Sequence, residues 1–279
     1  MSASIFRTGL LAGRVAFVTG GSSGINKGIV HRFLELGASV VIVARDAARL
    51  DAAKAELEQA TKGRVVALSA DVRDLSAMEA AAQRGVTQLG RYDIVVAGAA
   101  GNFPAAAAQM SANAFGSVID IDLKGTFHTF RACHPHLNPR ARLIAISAPQ
   151  AVLPMKYQSH ACAAKAGIEA LVRTLAVEWG GIDGVRANCL SPGLVRATHG
   201  AEIFAKFAGE EALVGPQPVP RQATLGEVAD AAVFLASPAG DYITGHTLAI
   251  DGGLSLVTMW DQTFGAAVEQ AWAKGVSRP

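Results

Sequence analysis

The sequence predicts an α/β fold, a doubly wound parallel sheet of about seven strands flanked by helices. Two observations carry that expectation. Short β-branched runs recur without strict alternation, the pattern of strands covered on both faces. Amphipathic stretches separate them, and strands alternating with helices imply βαβ units. Neither a break in composition nor an internal repeat interrupts the series, so a single domain is expected over 1–279. Its core covers about 10–254, with a helical tail over 255–279.

In order, Arg14–Thr19 reads as the first strand, and a glycine-rich turn then opens a helix through about Leu36. Ser39–Ala44 is the second strand, followed by an Ala/Glu/Leu helix from about Asp46 to Ala60. Arg64–Ser69, Asp93–Ala97 and Arg142–Ser147 continue the strands, and Ala187–Leu190 and Thr247–Ile250 complete them. Pro192 to Arg221 is different, being rich in proline and glycine with one short helical piece at Ala201–Ala208. It reads as an excursion over the carboxyl edge of the sheet, where ligands bind in such folds.

With 279 residues, 51% of them hydrophobic, the chain can bury a sizeable core. A formal net charge of +2 offers no general attraction for nucleic acid or an anionic membrane, and neither is expected as a partner. The cysteines Cys133, Cys162 and Cys189 form an odd set without CxxC spacing, which argues against a disulfide framework or a zinc site. No metal is expected. The amino end lacks the apolar core of a signal peptide, and every apolar run is too interrupted to span a bilayer. The chain ends Ser277-Arg278-Pro279 rather than in a peroxisomal SKL-type tripeptide, so a cytoplasmic location is expected.

The first turn reads Thr19-Gly20-Gly21-Ser22-Ser23-Gly24-Ile25-Asn26. A strand feeding such a turn into a helix aims backbone N–H groups and the helix dipole at an anion, and glycine lets a phosphate approach closely. Gly20, Ser22, Ser23, Gly24 and Ile25 are therefore candidate cofactor residues. The bland alternative is an ordinary strand-to-helix turn.

These residues also resemble the cofactor loop of the short-chain dehydrogenase/reductase family. Further matches follow in the family's order from about residue 10 to residue 254: Asp71-Val72, Lys165, Val185-Arg186-Ala187-Asn188, Ser191-Pro192-Gly193, Ile243-Thr244-Gly245 and Asp251-Gly252-Gly253. The resemblance implies a Rossmann-like fold. It also implies a nicotinamide cofactor held by the turn, by Asp71 and Val72 at the adenine, and by Ala99, Lys165, Pro192 and Gly193. Homo-oligomers, commonly tetramers, are usual in the family. One departure is Asn26, where the family usually has a third glycine; Asn tolerates unusual backbone angles better than most residues. An NAD-preferring member usually carries a carboxylate at the end of the second strand, where this chain has Ala44 and then Arg45. A guanidinium can pair bidentately with a 2′-phosphate, so NADPH is the expected cofactor. The alternative leaves Arg45 a solvated loop charge.

Most members of the family use a Ser–Tyr–Lys set, and here both hydroxyl positions are alanine: Ala161, four residues before Lys165, and Ala148. Ser147 and Tyr157 are nearby but point elsewhere in the expected geometry. The stretch Ala99-Ala100-Gly101-Asn102-Phe103, with Asp120-Ile121-Asp122, Gly125-Thr126-Phe127, His160 and Leu175-Ala176-Val177-Glu178-Trp179-Gly180, resembles the 2,4-dienoyl-CoA reductase branch. That branch implies an acyl-CoA substrate and reduction of 2,4-dienoyl-CoA to 3-enoyl-CoA in unsaturated fatty acid oxidation. It also implies that Asp122 delivers a proton through a water. Phe115, Ile119, Asp122 and Thr126 fall at helical spacing, and a carboxylate on such a stripe is unfavourable unless partnered. Asp120 is expected on another face. The alternative for Asp122 is a purely structural bond to backbone or to Lys165. Lys165 is expected to hold the nicotinamide ribose, while Asn102, Phe103 and His160 are candidate substrate neighbours. Two rivals stay open: a reductase of another enoyl thioester or carbonyl compound, with Tyr157 as a displaced acid, and a non-catalytic NADP-binding sensor or partner protein. Trp260, Phe264, Val268 and Trp272 form an apolar stripe in the tail, suited to packing on this domain or on a neighbour.

Overall fold

A computed structural model of the chain describes residues 5–198, 200–202, 206, 214–215, 217–257, 268, 270 and 274. Seven parallel strands form one sheet in the order β3-β2-β1-β4-β5-β6-β7. They are β1 Val15–Thr19, β2 Ser39–Ala44, β3 Val65–Ser69, β4 Tyr92–Ala97, β5 Leu137–Ile146, β6 Arg186–Pro192 and β7 Thr247–Ile250. Between them run helices α1 Gly24–Glu35, α2 Ala47–Thr61, α3 Leu75–Leu89, α4 Ala112–Val118, α5 Gly125–Cys133, α6 Ser159–Asp183 and α7 Leu225–Ala236.

Successive strand residues point to opposite faces, and each face builds its own core. Phe17, Val41, Val43, Val95 and Leu143 pack on Met78 of α3, Phe130 of α5 and Ile168 of α6. Their neighbours Ala16, Val18, Val40, Ile42 and Ile144 pack on Ile29 and Phe33 of α1, Leu50 of α2 and Val233 of α7. Continuous apolar runs are what a sheet covered on both faces needs. Four helices start where side chains cap them: Asp46, Asp74 and Ser111 each accept an amide N–H at α2, α3 and α4, and Thr224 with Glu227 forms a capping box on α7.

Two elements differ from the sequence expectation. The fifth strand begins at Leu137 rather than Arg142, because Leu137 pairs with Tyr92 before an irregularity resets the register at Ile94–Arg142. The helical stripe through Asp122 is not one continuous α-helix. A π-helical turn, Ile119–Lys124, joins α4 to α5, and its wider spacing rotates the flanking turns out of line. Phe115 is consequently 38% exposed, while Asp122 and Thr126 are buried.

Of the short helical piece expected at Ala201–Ala208, residues 203–205, 207 and 208 lie outside the described residues. Trp260, Phe264 and Trp272 of the tail stripe lie outside them too. Among the described residues no helix is long and apolar enough to cross a membrane.

Candidate active site

Strand order reverses between β1 and β4, opening a crevice at their carboxyl ends. Thr19 ties its two sides together: its Oγ1 accepts from the Gly98 amide at 3.1 Å and donates to the Val96 carbonyl at 3.4 Å. Gly20 has a φ of +71°, and a Cβ there would lie 3.2 Å from Ala99 Cα. A Cβ on Gly21 would lie 2.8 Å from an Ile42 methyl. Both glycines are thus required by space.

Helix α1 starts after Ser23, whose side chain makes no capping bond, and its first turn carries no acid. Its leading N–H groups therefore keep no side-chain partner of the kind that caps α2, α3, α4 and α7. A glycine cradle beneath an uncapped helix end fits a dinucleotide pyrophosphate, which Gly20, Ser22, Ser23, Gly24 and Ile25 would border. Ile25 also lines the cavity described below.

Asn26, buried in the third position of α1's first turn, donates from Nδ2 to the Gly98 carbonyl at 2.7 Å. The space a glycine would leave is filled by a carboxamide clamping the turn to the end of β4. Gly98 compensates by having no Cβ, since one would lie 2.5 Å from Asn26 Cγ.

Further along the edge, Arg45 stands exposed just beyond β2, next to Ala44. Asp71 pairs with Arg73 through its carboxylate, Nη2 to Oδ2 being 2.6 Å. That hydrogen bond holds the Asp71 carboxyl below its ordinary range, against a smaller opposing effect of burial and with help from the Arg45 charge. Val72 is buried and would collide with any Cβ on Gly125.

The chemical end is a cavity of about 470 Å³. The side chains of Asp122 and Lys165 meet on its wall, Nζ to Oδ2 at 3.0 Å, with side-chain exposures of 2% and 11%. The other Asp122 oxygen accepts from the Gly101 amide at 2.8 Å. Lys165 Nζ also donates to the Ile146 carbonyl at 3.0 Å. The π turn places the Asp122 side chain inward, whereas Asp120 points outward to pair with Lys124 at 2.7 Å. Ala148 and Ala161 line the same cavity, as do Pro192 and Gly193.

Ser147 lines the cavity too, but its Oγ is committed, donating to the buried Glu169 at 2.8 Å. Tyr157 is 61% exposed with a φ of +66°, and its side chain is not among the cavity's lining. Phe103 stacks on His160 with ring centroids 4.6 Å apart. Phe103 and Asn102 line the cavity, but His160 lies wholly buried behind Phe103, with no hydrogen-bond partner at either ring nitrogen among the described residues.

Gln158, Met155, Leu194 and Val195 are lining residues that the sequence reading did not single out. Gln158 accepts from Asn102 Nδ2 at 2.6 Å. Its position one turn before Ala161 was the available signal, visible only once α6 was known to begin there.

A family profile described as enoyl-(acyl carrier protein) reductase matches residues 20–255. Peroxisomal 2,4-dienoyl-CoA reductase SPS19 of Saccharomyces cerevisiae is 38% identical over 253 residues, 89% of this chain and 86% of that one. The peroxisomal enzyme of the same name from Rattus norvegicus is 38% identical over 252 residues, with the same shares covered. A probable 2,4-dienoyl-CoA reductase of Bacillus subtilis, described as (2E)-enoyl-CoA-producing, is 35% identical over 86% of this chain and 96% of its own. Among solved structures, a short-chain dehydrogenase from Bacillus anthracis superposes with a TM-score of 0.82 at 35% identity, covering 90% of this chain and 99% of that one. The nucleotide cradle, the lysine on α6 and these matches lead to one conclusion: the chain is an oxidoreductase of the short-chain dehydrogenase/reductase family, working with a nicotinamide cofactor.

Proposed function

We propose that the protein reduces a 2,4-dienoyl-CoA to a 3-enoyl-CoA with NADPH, an auxiliary step in the oxidation of unsaturated fatty acids. The observation that carries this reading is the Asp122–Lys165 pair, facing a cavity whose two usual hydroxyl positions are Ala148 and Ala161. Two relatives named as (3E)-enoyl-CoA-producing 2,4-dienoyl-CoA reductases support it, and the Bacillus subtilis relative supports the substrate but is named for the 2-enoyl product.

A nicotinamide dinucleotide bound at the glycine-rich turn would supply the hydride, and the far carbon of the conjugated system would receive it. Negative charge then spreads over the thioester oxygen and the α-carbon, so no alkoxide forms where the hydride lands. A phenol beside that carbon has nothing to protonate, and alanine suffices. What the reaction needs instead is a donor at the thioester oxygen and a proton at the α-carbon. In this reading Asp122 directs a water that protonates the α-carbon, leaving the double bond between the third and fourth carbons. Lys165 orients the nicotinamide ribose and holds the Asp122 carboxylate in place. Asn102 and Phe103 line the acyl side, and His160 acts from behind as the support of the Phe103 ring. Asp71, Val72, Ala99, Pro192 and Gly193 border the cofactor.

NADPH is preferred to NADH in this reading because Arg45 is exposed beyond β2 and Ala44 supplies no competing carboxylate. Arg45→Ala is expected to raise the KM for NADPH about tenfold, the loss of one charge-assisted phosphate contact, while leaving the KM for NADH unchanged. Equal effects on both would remove the NADP assignment. Tyr157→Phe is expected to change kcat less than twofold; a large loss would favour the rival in which this tyrosine is the acid.

Three cysteines that form no disulfide suit a reducing compartment, and a cytoplasmic location belongs to the same reading, as does a homotetramer. The test is oxidation of NADPH with trans,trans-2,4-hexadienoyl-CoA and 2,4-decadienoyl-CoA. Unchanged dienoyl absorbance with saturating NADPH refutes the proposal.

A further inference from the structure

The side-chain donors around the cavity are nearly all committed. Lys165 is engaged by Asp122 and the Ile146 carbonyl, Ser147 by Glu169, and Thr198 by the Val195 carbonyl at 2.7 Å. Gln158 is an exception whose carboxamide is nonetheless fixed in place. It is 2% exposed yet lines the cavity, and its Oε1 is held by Asn102 Nδ2 at 2.6 Å. Its Nε2 makes no hydrogen bond among the described residues. Gln150 also lines the cavity, but no hydrogen bond to another described residue fixes its carboxamide.

The surroundings of Gln158 hold it rigidly. The Ala105 amide donates to the Tyr157 carbonyl at 3.0 Å, Phe103 stacks on His160, and Asn102 grips the Gln158 amide, so the loop after β4 is fastened to the start of α6 at three successive points. The same loop is anchored to Asp122 through the Gly101 amide. Gln158 occupies the N-cap position of α6 without spending its side chain on a cap, and the first turn holds no acid, so the helix's positive end adds to the field there. It stands three residues, about one turn, before Ala161 on the same helix face.

We propose that Gln158 is a catalytic hydrogen-bond donor, its Nε2 bonding the thioester oxygen of the dienoyl substrate and taking the place of the phenol absent at Ala161. The inference rests on the reduction of a dienoyl thioester proposed above. As hydride adds to the far carbon, the electron pair moves through the conjugated system to the thioester oxygen. The amide N–H shortens its bond to that oxygen without giving up its proton. The pair returns when the α-carbon is protonated. A donor fixed beforehand by Asn102 need not reorganise as the charge develops, which is the condition for a large catalytic effect.

The test compares the full-length protein with Gln158→Met, of similar length without a donor, and Gln158→Glu. In Gln158→Met kcat for 2,4-decadienoyl-CoA is expected to fall about 100-fold, the usual loss for one oxyanion donor, with NADPH affinity and melting temperature unchanged. The dienoyl absorbance band, which moves to longer wavelength when its carbonyl is hydrogen-bonded, is expected to lose that shift on binding to Gln158→Met without cofactor. In Gln158→Glu the ratio of variant to unaltered kcat is expected to rise toward acid pH, because only the protonated carboxyl donates. A kcat within threefold of normal in Gln158→Met overturns the inference. So does a loss of kcat that leaves the absorbance shift intact, or one accompanied by lost NADPH affinity. Failure of the unaltered protein to consume any dienoyl-CoA overturns the underlying reaction, and the inference with it.

Discussion

Asp122→Asn is expected to lower kcat for dienoyl-CoA reduction about 1000-fold, within the range for a lost general acid–base group, while leaving the cavity's shape intact. An amide keeps the volume and can still accept the Gly101 N–H, now at 2.8 Å from Oδ1. It cannot take up and pass on a proton. The substitution also strands the Lys165 ammonium, which is 11% exposed and 3.0 Å from the carboxylate it would lose. Breaking a buried pair on one side costs about 3 kcal/mol, so a lower midpoint in urea is expected alongside the kinetic loss. Single-turnover measurements separate the two effects, since a folded variant at saturating NADPH reports the chemical step alone. Activity within tenfold of the unaltered enzyme would make Asp122 a structural partner of Lys165 and move the proton route elsewhere.

Gly98→Ala is expected to destabilise the fold by at least ~2 kcal/mol and to weaken dinucleotide binding, as overpacking a tight site does. The new methyl would overlap the Asn26 carboxamide, whose Cγ lies 2.5 Å from its position. Asn26 cannot retreat without losing its hydrogen bond, since its Nδ2 is bonded to the Gly98 carbonyl at 2.7 Å. Asn26→Gly alone loses one hydrogen bond and adds a flexible residue to a helix's first turn, a cost of about 1 kcal/mol. The double change Asn26→Gly/Gly98→Ala is expected to recover most of the loss from Gly98→Ala, because the methyl then occupies the vacated space. A double-mutant cycle in urea, with NADPH titrations on the same four proteins, measures this coupling directly. Additive effects would mean that the two positions do not share space, and the clamp between the glycine-rich turn and β4 would fall.

The clamp also shows where sequence reasoning stops. Asn26 was visible as a departure from the glycine usual at its position, and its tolerance of unusual backbone angles was the relevant local fact. Its actual use is non-local. It lies 72 residues from Gly98 in sequence, and the two meet only because β1 and β4 are neighbours at the point where strand order reverses. Gly98 itself gave no signal, since a glycine after a strand is ordinary until its neighbour is known.

The strands were legible almost residue by residue, as at Ser39–Ala44 and Thr247–Ile250, because burial on both faces demands unbroken apolar runs bounded by turns. The start of β5 was not. Leu137-Asn138-Pro139-Arg140 carries a proline, a charge and an Arg140 φ of +62°, none of which reads as strand, and only pairing with Tyr92 enrols it. Asp122 and Lys165 could be named from the sequence as a carboxylate on a helical stripe and a lysine at a family position. The stripe assumed 3.6 residues per turn throughout, whereas a π turn carries Asp122 inward and leaves Phe115 partly exposed. Hydrogen-bond register along a helix depends on what packs against it, and no local pattern in Ile119–Lys124 announced the change.

By itself, then, the sequence determined the doubly wound sheet, the glycine-rich turn, the Arg45 beside a missing acid and the absence of both usual hydroxyls. These are properties of single residues and short spacings, set by propensity, periodicity and side-chain chemistry. Only the tertiary structure decided that Asp122 meets Lys165, that His160 stands behind Phe103 rather than in the cavity, and that Gln158 faces it with Asn102 as its brace. Those outcomes depend on distances between residues 43, 57 and 56 positions apart. Packing of α6 against the π turn and the loop after β4 sets them, and side-chain type alone carries no information about such distances.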